Sequence, residues 1–202
     1  MKFTFTILLL AMYACLYGQS LEYTFNVGTG ATYLVENYDR SININYKTPV
    51  SISTDLKFTP KNSNFGILLR YQFTGTGVDG SKWFDEFSPS FKAQVNDNSF
   101  ILLIEYLKKS DKKINFGANF GLGYTKQIIS LENENYTRRN VFPSLHIGGI
   151  ISCKINSKLS VKLQPGFQFF DPLNALSKNN YHFAKEDIHF LTQVGFSYLF
   201  SL

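Results

Sequence analysis

From Ile114 to Tyr124 the chain alternates without a break: Ile114, Phe116, Ala118, Phe120, Leu122 and Tyr124 fall on one side, and Asn115, Gly117, Asn119, Gly121 and Gly123 on the other. Successive side chains of a β-strand point to opposite faces, so this period of two predicts a strand with one apolar face and one small, polar face. The same reading predicts eight strands, over residues 23–35, 41–59, 65–75, 99–108, 114–128, 143–155, 158–170 and 188–202. Their connections also alternate. Segments 60–64, 109–113 and 156–157 are short, 77–98, 129–142 and 171–187 are long, and 36–40 is a short exception. The even-numbered residues from Ile42 to Phe58 keep one parity throughout, which predicts an unbroken second strand rising above the others.

Charge decides which face meets lipid. Lys47, Asp55, Lys57, Arg70, Glu105, Lys154 and Lys162 lie inside these strands, all on the face opposite the apolar series. A Lys or Arg facing lipid at mid-depth costs about 2–4 kcal/mol, so an apolar outer face in a bilayer accounts for the segregation. Tyr23, Phe58, Phe65, Tyr106 and Phe200 gather at the turn ends and Tyr33, Tyr46, Phe73, Tyr124 and Phe169 at the loop ends, as two interfacial girdles would. The expected fold is all-β, an eight-stranded antiparallel up-and-down transmembrane β-barrel with short periplasmic turns and long outer loops. A soluble barrel with its apolar face inward would put Gly117, Gly121, Gly123, Gly148, Gly166 and Gly195 on a solvated surface, where they suit a crowded lumen better. One stretch conflicts with the pattern. Phe91, Ala93 and Val95 are apolar at odd positions but Phe100, Leu102, Ile104 and Tyr106 at even ones, which predicts a parity slip near 96–98, through a bulge or an extra strand in the loop.

Lys2, the apolar run from Ile7 to Met12 and the small residues near Gly18 predict a signal peptide over 1–19 and a barrel domain over 20–202. The apolar core is far shorter than the roughly 20 residues of a spanning helix. Cys15 raises an acylation site as a rival, which Tyr13 fits poorly. Loss of Lys2 lowers the formal net charge from +5 to +4, and the basic residues are too scattered to predict a nucleic-acid partner. Cys153 is then the remaining cysteine, which excludes an intramolecular disulfide, and its parity places it towards lipid.

With the leader ending in Gly18-Gln19-Ser20, the strand Phe116-Gly117-Ala118-Asn119-Phe120-Gly121-Leu122-Gly123-Tyr124 and the closing Gly195-Phe196-Ser197-Tyr198-Leu199-Phe200, the chain resembles the outer-membrane β-barrel family common in Bacteroidetes, including PorT-like proteins. It is more loosely similar to small OmpA-type and OmpX-type barrels. The resemblance covers the mature chain and implies an architecture, an outer-membrane location and insertion by the barrel assembly machinery, but no catalytic residues. Leu202 departs from the terminal Phe usual in such barrels.

Eight strands enclose just enough space for side chains, so a plugged lumen is expected rather than a pore. A hairpin turning at Asn62 and Ser63 sets Arg70 opposite Asp55, with Glu105 on the next strand, and an arginine between two carboxylates would lock the barrel. Lys57, Lys154 and Lys162 lie near the periplasmic end, where they would attract an anionic group or be solvated. The inward charges on this reading sum to +3. Ser144, His146 and His189 point into the lumen, away from lipid, and no acid is placed to orient either imidazole, so no catalytic residue and no enzyme is predicted. His182 and His189 lack metal-ligand spacing; neither metal nor cofactor is expected. Trp83, Phe84, Phe87 and Phe91, among Lys82, Asp85 and Glu86, are the candidate loop-binding residues. Lys108, Lys109, Lys112 and Lys113 form a basic turn suited to inner-leaflet headgroups or a periplasmic partner. The expected function is that of a small monomeric outer-membrane barrel with a structural or surface-binding role. Its partners would be outer-membrane lipids and a surface ligand or envelope protein. An accessory barrel of a secretion or transport assembly and a lipid-modifying enzyme are the alternatives.

Overall fold

The computed structural model describes residues 20–34, 42–82, 90–108, 112–131, 137–172 and 187–201. It contains β1 (Ser20–Leu34), β2 (Ile42–Tyr46), β3 (Val50–Thr59), β4 (Phe65–Lys82), β5 (Ser90–Leu107), β6 (Ile114–Leu131), β7 (Thr137–Lys154), β8 (Leu159–Phe170) and β9 (Asp187–Ser201). Each pairs antiparallel with its neighbours, and pairing of β4 with β5 closes the sheet into a barrel. β2 and β3 are two pieces of one wall strand, so the barrel has eight staves. Residues 1–19, with the leader and Cys15, lie outside the described residues, as do Trp83, Phe84, Phe87 and His182.

The expected second strand is broken. Tyr46 opposes Val78 and Val50 opposes Gly75, so Lys47, Thr48 and Pro49 face only Thr76 and Gly77. This extra residue is a β-bulge, and it inverts the parity above it. Tyr46 therefore packs against the interior cluster of Val78, Ala93, Val95 and Ile129 instead of joining the outer girdle. Lys47 points outward, 3.3 Å from Asp79, and is not a lumen charge. β1 pairs with β3 only as far as Thr29–Val50, where the Thr29 hydroxyl donates to the Pro49 carbonyl at 2.8 Å.

The expected slip near 96–98 does not occur. β5 runs unbroken, with Ala93, Val95, Asp97, Ser99, Ile101, Leu103 and Glu105 all facing inward, so Phe91 belongs to neither an extra strand nor a bulge. What changes along β5 is the surroundings. Beside lipid, Phe100, Leu102 and Ile104 face out; above the bilayer, Gln94 and Asn96 face water and Ala93 and Val95 form a core. β4, β5, β6 and β7 each have 18 residues, well beyond the roughly 9–11 needed to cross a bilayer. The loops expected over 77–98 and 129–142 are thus largely strand. Above the membrane the barrel is organised like a soluble protein, apolar inside and polar outside.

The membrane belt itself follows the alternation. Phe25, Val27, Ile52, Leu56, Ile67, Leu69, Leu102, Ile104, Phe116, Phe120, Leu122, Phe167, Val194 and Phe196 are exposed around the barrel. Such a belt is unfavourable in water and expected in lipid. Gly121 shows why the lumen face is small: a methyl group there would drive into the Leu102 carbonyl oxygen of the adjoining strand.

Candidate functional site

The lumen holds the candidate site. The turn after β3, with Asn62 at a positive φ of 58°, sets the register so that Asp55 opposes Arg70. Arg70 donates to Asp55 through Nε to Oδ1 at 2.7 Å and Nη2 to Oδ2 at 2.8 Å. The same Nη2 reaches Gln164 on β8, the stave diametrically opposite β4. Asn26 completes the ring, donating to Asp55 at 3.1 Å and accepting from Gln164 at 3.1 Å. Glu105 is not the second clamp on Arg70. It is bonded by Lys57, with Lys162 3.9 Å away.

The expected surplus of +3 is removed by one bulge, one missed acid and the exposure of Lys154 at the barrel mouth. Lys47 lies outside, and Glu22 on β1 points in, 2.6 Å from Lys162 and 3.6 Å from Lys57. Three buried cations, Lys57, Arg70 and Lys162, so meet three carboxylates, Glu22, Asp55 and Glu105. Glu22 shares its inward parity with Thr24 and Asn26, but it precedes the expected start of the strand at Tyr23. Unpaired ions at such depth would be prohibitively costly; paired and hydrogen-bonded ones persist.

Below this cluster a cavity of about 590 Å³ opens between the short turns, with Glu22, Lys57 and Lys162 as its floor and Lys154 and Lys158 among its lining. Lys154 is exposed there, so it belongs to the mouth and not to the buried network. Above the cluster, Gln72 donates across the lumen to Gln168 at 2.7 Å, and Gln168 to Ser99 at 2.9 Å. Next come Asp97 and His189, both buried, with Oδ2 and Nε2 3.8 Å apart, and Phe142 edge-on to Phe170. The Val78–Ala93–Val95–Ile129 core lies in the extension beyond the outer girdle. Polar bridges and then apolar packing occupy the lumen in turn.

Ser144 and His146 are buried in this lumen, and neither Oγ nor Nδ1 has a hydrogen-bond partner among the described residues. No group of three or more metal-ligating side chains occurs among the described residues. Asp97 was not legible as a lumen residue, because the expected slip placed it in a loop.

Comparison with solved structures matches the whole architecture. OprG of Pseudomonas aeruginosa aligns with a TM-score of 0.59 at 11% identity over 92% of this chain and 97% of its own. The chain folds as a small outer-membrane barrel. A major outer-membrane protein of Thermus thermophilus gives a TM-score of 0.59 at 12% identity, covering 89% of this chain and 99% of that one. Ail of Yersinia pestis, in complex with the heparin analogue sucrose octasulfate, gives 0.54 at 11% identity over 91% and 99%. No family model matches the chain, and neither does the sequence of any curated protein. Lipid-facing belt and fold together place the protein in the bacterial outer membrane.

Proposed function

We propose that the protein is a monomeric, non-conducting and non-enzymatic outer-membrane barrel that works through the surface it presents outside the cell. The carrying observation is the pairing of a filled lumen with strands that continue past the membrane as an apolar-cored, polar-surfaced extension. A pore gains nothing from either, whereas a binding surface gains a pre-organised platform. The structural relative Ail was solved with a sulfated sugar bound, which favours a surface-binding role for this architecture. Burial of Ser144 and His146 away from lipid argues against a lipid-modifying enzyme. The finer kinship with the Bacteroidetes barrel family rests on the sequence motifs alone, as does passage through the barrel assembly machinery.

The segment between β4 and β5, with Trp83, Phe84 and Phe87 and the neighbouring Phe91, is the contact region on this reading. Cells displaying the protein should adhere to heparin-coated or matrix-protein-coated surfaces, and exchange of Trp83, Phe84 and Phe87 for Ser should remove that adhesion. Adhesion unchanged by the exchange, or absent with the wild type on every such surface, would count against the proposal. A second reading, an accessory barrel of an envelope assembly, draws on exposed Lys108 and Lys113 at the short-turn end.

A further inference from the structure

Lys126 and Arg139 project from the outer face of two adjoining strands, β6 and β7. β6 directs its even residues outward, and Lys126 follows Tyr124, which is 68% exposed and marks the upper edge of the lipid belt. On β7, Arg139 follows the same outward parity as Val141, which is 59% exposed. Lys126 is the register partner of Val141 and Ile128 of Arg139. The two cations are therefore diagonal neighbours on adjacent strands, about 7–8 Å apart at Cα.

Among the described residues their outward neighbours on β5 and β6 include no acid. The outward positions of β5 and β6 above the belt are Lys92, Gln94, Asn96, Asn98, Ile128 and Ser130, and among the described residues no carboxylate is paired with Lys126 or Arg139. Asp79, the outward acid of β4, is taken by Lys47 at 3.3 Å. Two cations with no carboxylate partner among the described residues, sitting one and two strand repeats above exposed Phe100, Leu122 and Tyr124, match an amphiphile with acyl chains below and phosphates above.

We propose that Lys126 and Arg139 form a headgroup clamp for a phosphorylated glycolipid of the outer leaflet, with its acyl chains lying along Tyr124 and Leu122. Arg139 takes one phosphate through paired N–H donors and Lys126 neutralises it or the next as a point charge. The clamp rests on the outer-membrane placement but not on adhesion, because it holds lipid whatever the loops bind.

The test is native mass spectrometry of the full-length barrel in detergent, titrated with diphosphorylated lipid A and with the same lipid dephosphorylated. The wild type should retain the phosphorylated form preferentially. Lys126→Gln combined with Arg139→Gln should weaken retention about fivefold per charge removed, while Lys126→Arg with Arg139→Lys keeps it and Lys61→Gln, on a short turn at the other end, leaves it unchanged. A boiling-dependent gel shift in every variant certifies the fold. Wild-type retention by the Gln pair, or equal affinity for the dephosphorylated lipid, overturns the clamp. Because adhesion is read on cells and lipid retention on pure protein, either can fail while the other stands.

Discussion

Arg70 and Asp55 form a two-pronged ion pair, 2.7 Å and 2.8 Å, with both side chains 1% exposed at the centre of the barrel. Removing one partner strands the other without solvent. Arg70→Leu should therefore cost about 3–5 kcal/mol in urea-induced unfolding, and Arg70→Leu with Asp55→Leu should recover much of the loss, since an apolar pair of similar volume carries no uncompensated charge. A single substitution with unchanged stability would show a solvated pair.

Glu22 is shared by Lys57 and Lys162. Glu22→Gln leaves two buried ammonium groups on Glu105 alone and should lower stability clearly, by about 1–3 kcal/mol. Lys154→Gln, at the exposed mouth of the cavity, should stay within about 0.5 kcal/mol. Equal effects of the two, by the same unfolding assay, would mean that the cavity floor is as wet as its rim.

The bulge and the inverted extension predict opposite outcomes for one type of change. Leu102→Lys faces lipid and should cost about 2–4 kcal/mol, whereas Asn96→Lys, at the same parity on the same strand but above the belt, should be nearly neutral. Val95→Lys should be severe, because Val95 lies in the upper core. If Asn96→Lys proved as costly as Leu102→Lys, the membrane would extend over β5 much higher than the exposed aromatic residues indicate.

Much of the barrel was legible from alternation because lipid punishes a misplaced charge along the whole belt. The Asp55–Arg70 register followed from one turn, at Asn62 and Ser63. What alternation misread lies beyond the lipid. There the outer face has no reason to be apolar, so Ala93 and Val95 read as a slip when the strand was straight. Across Lys47–Pro49 the opposite error arose: the sequence parity looked unbroken while the backbone inserted a residue, and Tyr46 and Lys47 changed sides. Glu22 was lost for a simpler reason, since one acid just before a strand carries no periodic signal of its own. The aromatic residues at 83, 84 and 87 were singled out by composition, and they lie outside the described residues.

Glycine sets the limit on lumen size in the belt. Gly121→Val would force a branched side chain against the Leu102 carbonyl, and should open the β5–β6 pairing. Faster amide hydrogen exchange at Leu102, Leu103 and Gly121 than in the wild type, with the distant β8–β9 pairing unchanged, is the expected signature. Unaltered exchange would place that glycine in open space.

Three ion pairs' worth of charge around Arg70 and Lys162, the Gln72–Gln168 bridge and the apolar core above fill the lumen and should close it to solutes. Single-channel recording of the purified protein in planar bilayers reads that closure. The prediction is no stable conductance at neutral pH, with brief, small openings at most in Arg70→Leu. Large, long-lived, ohmic channels from the wild-type protein would contradict it.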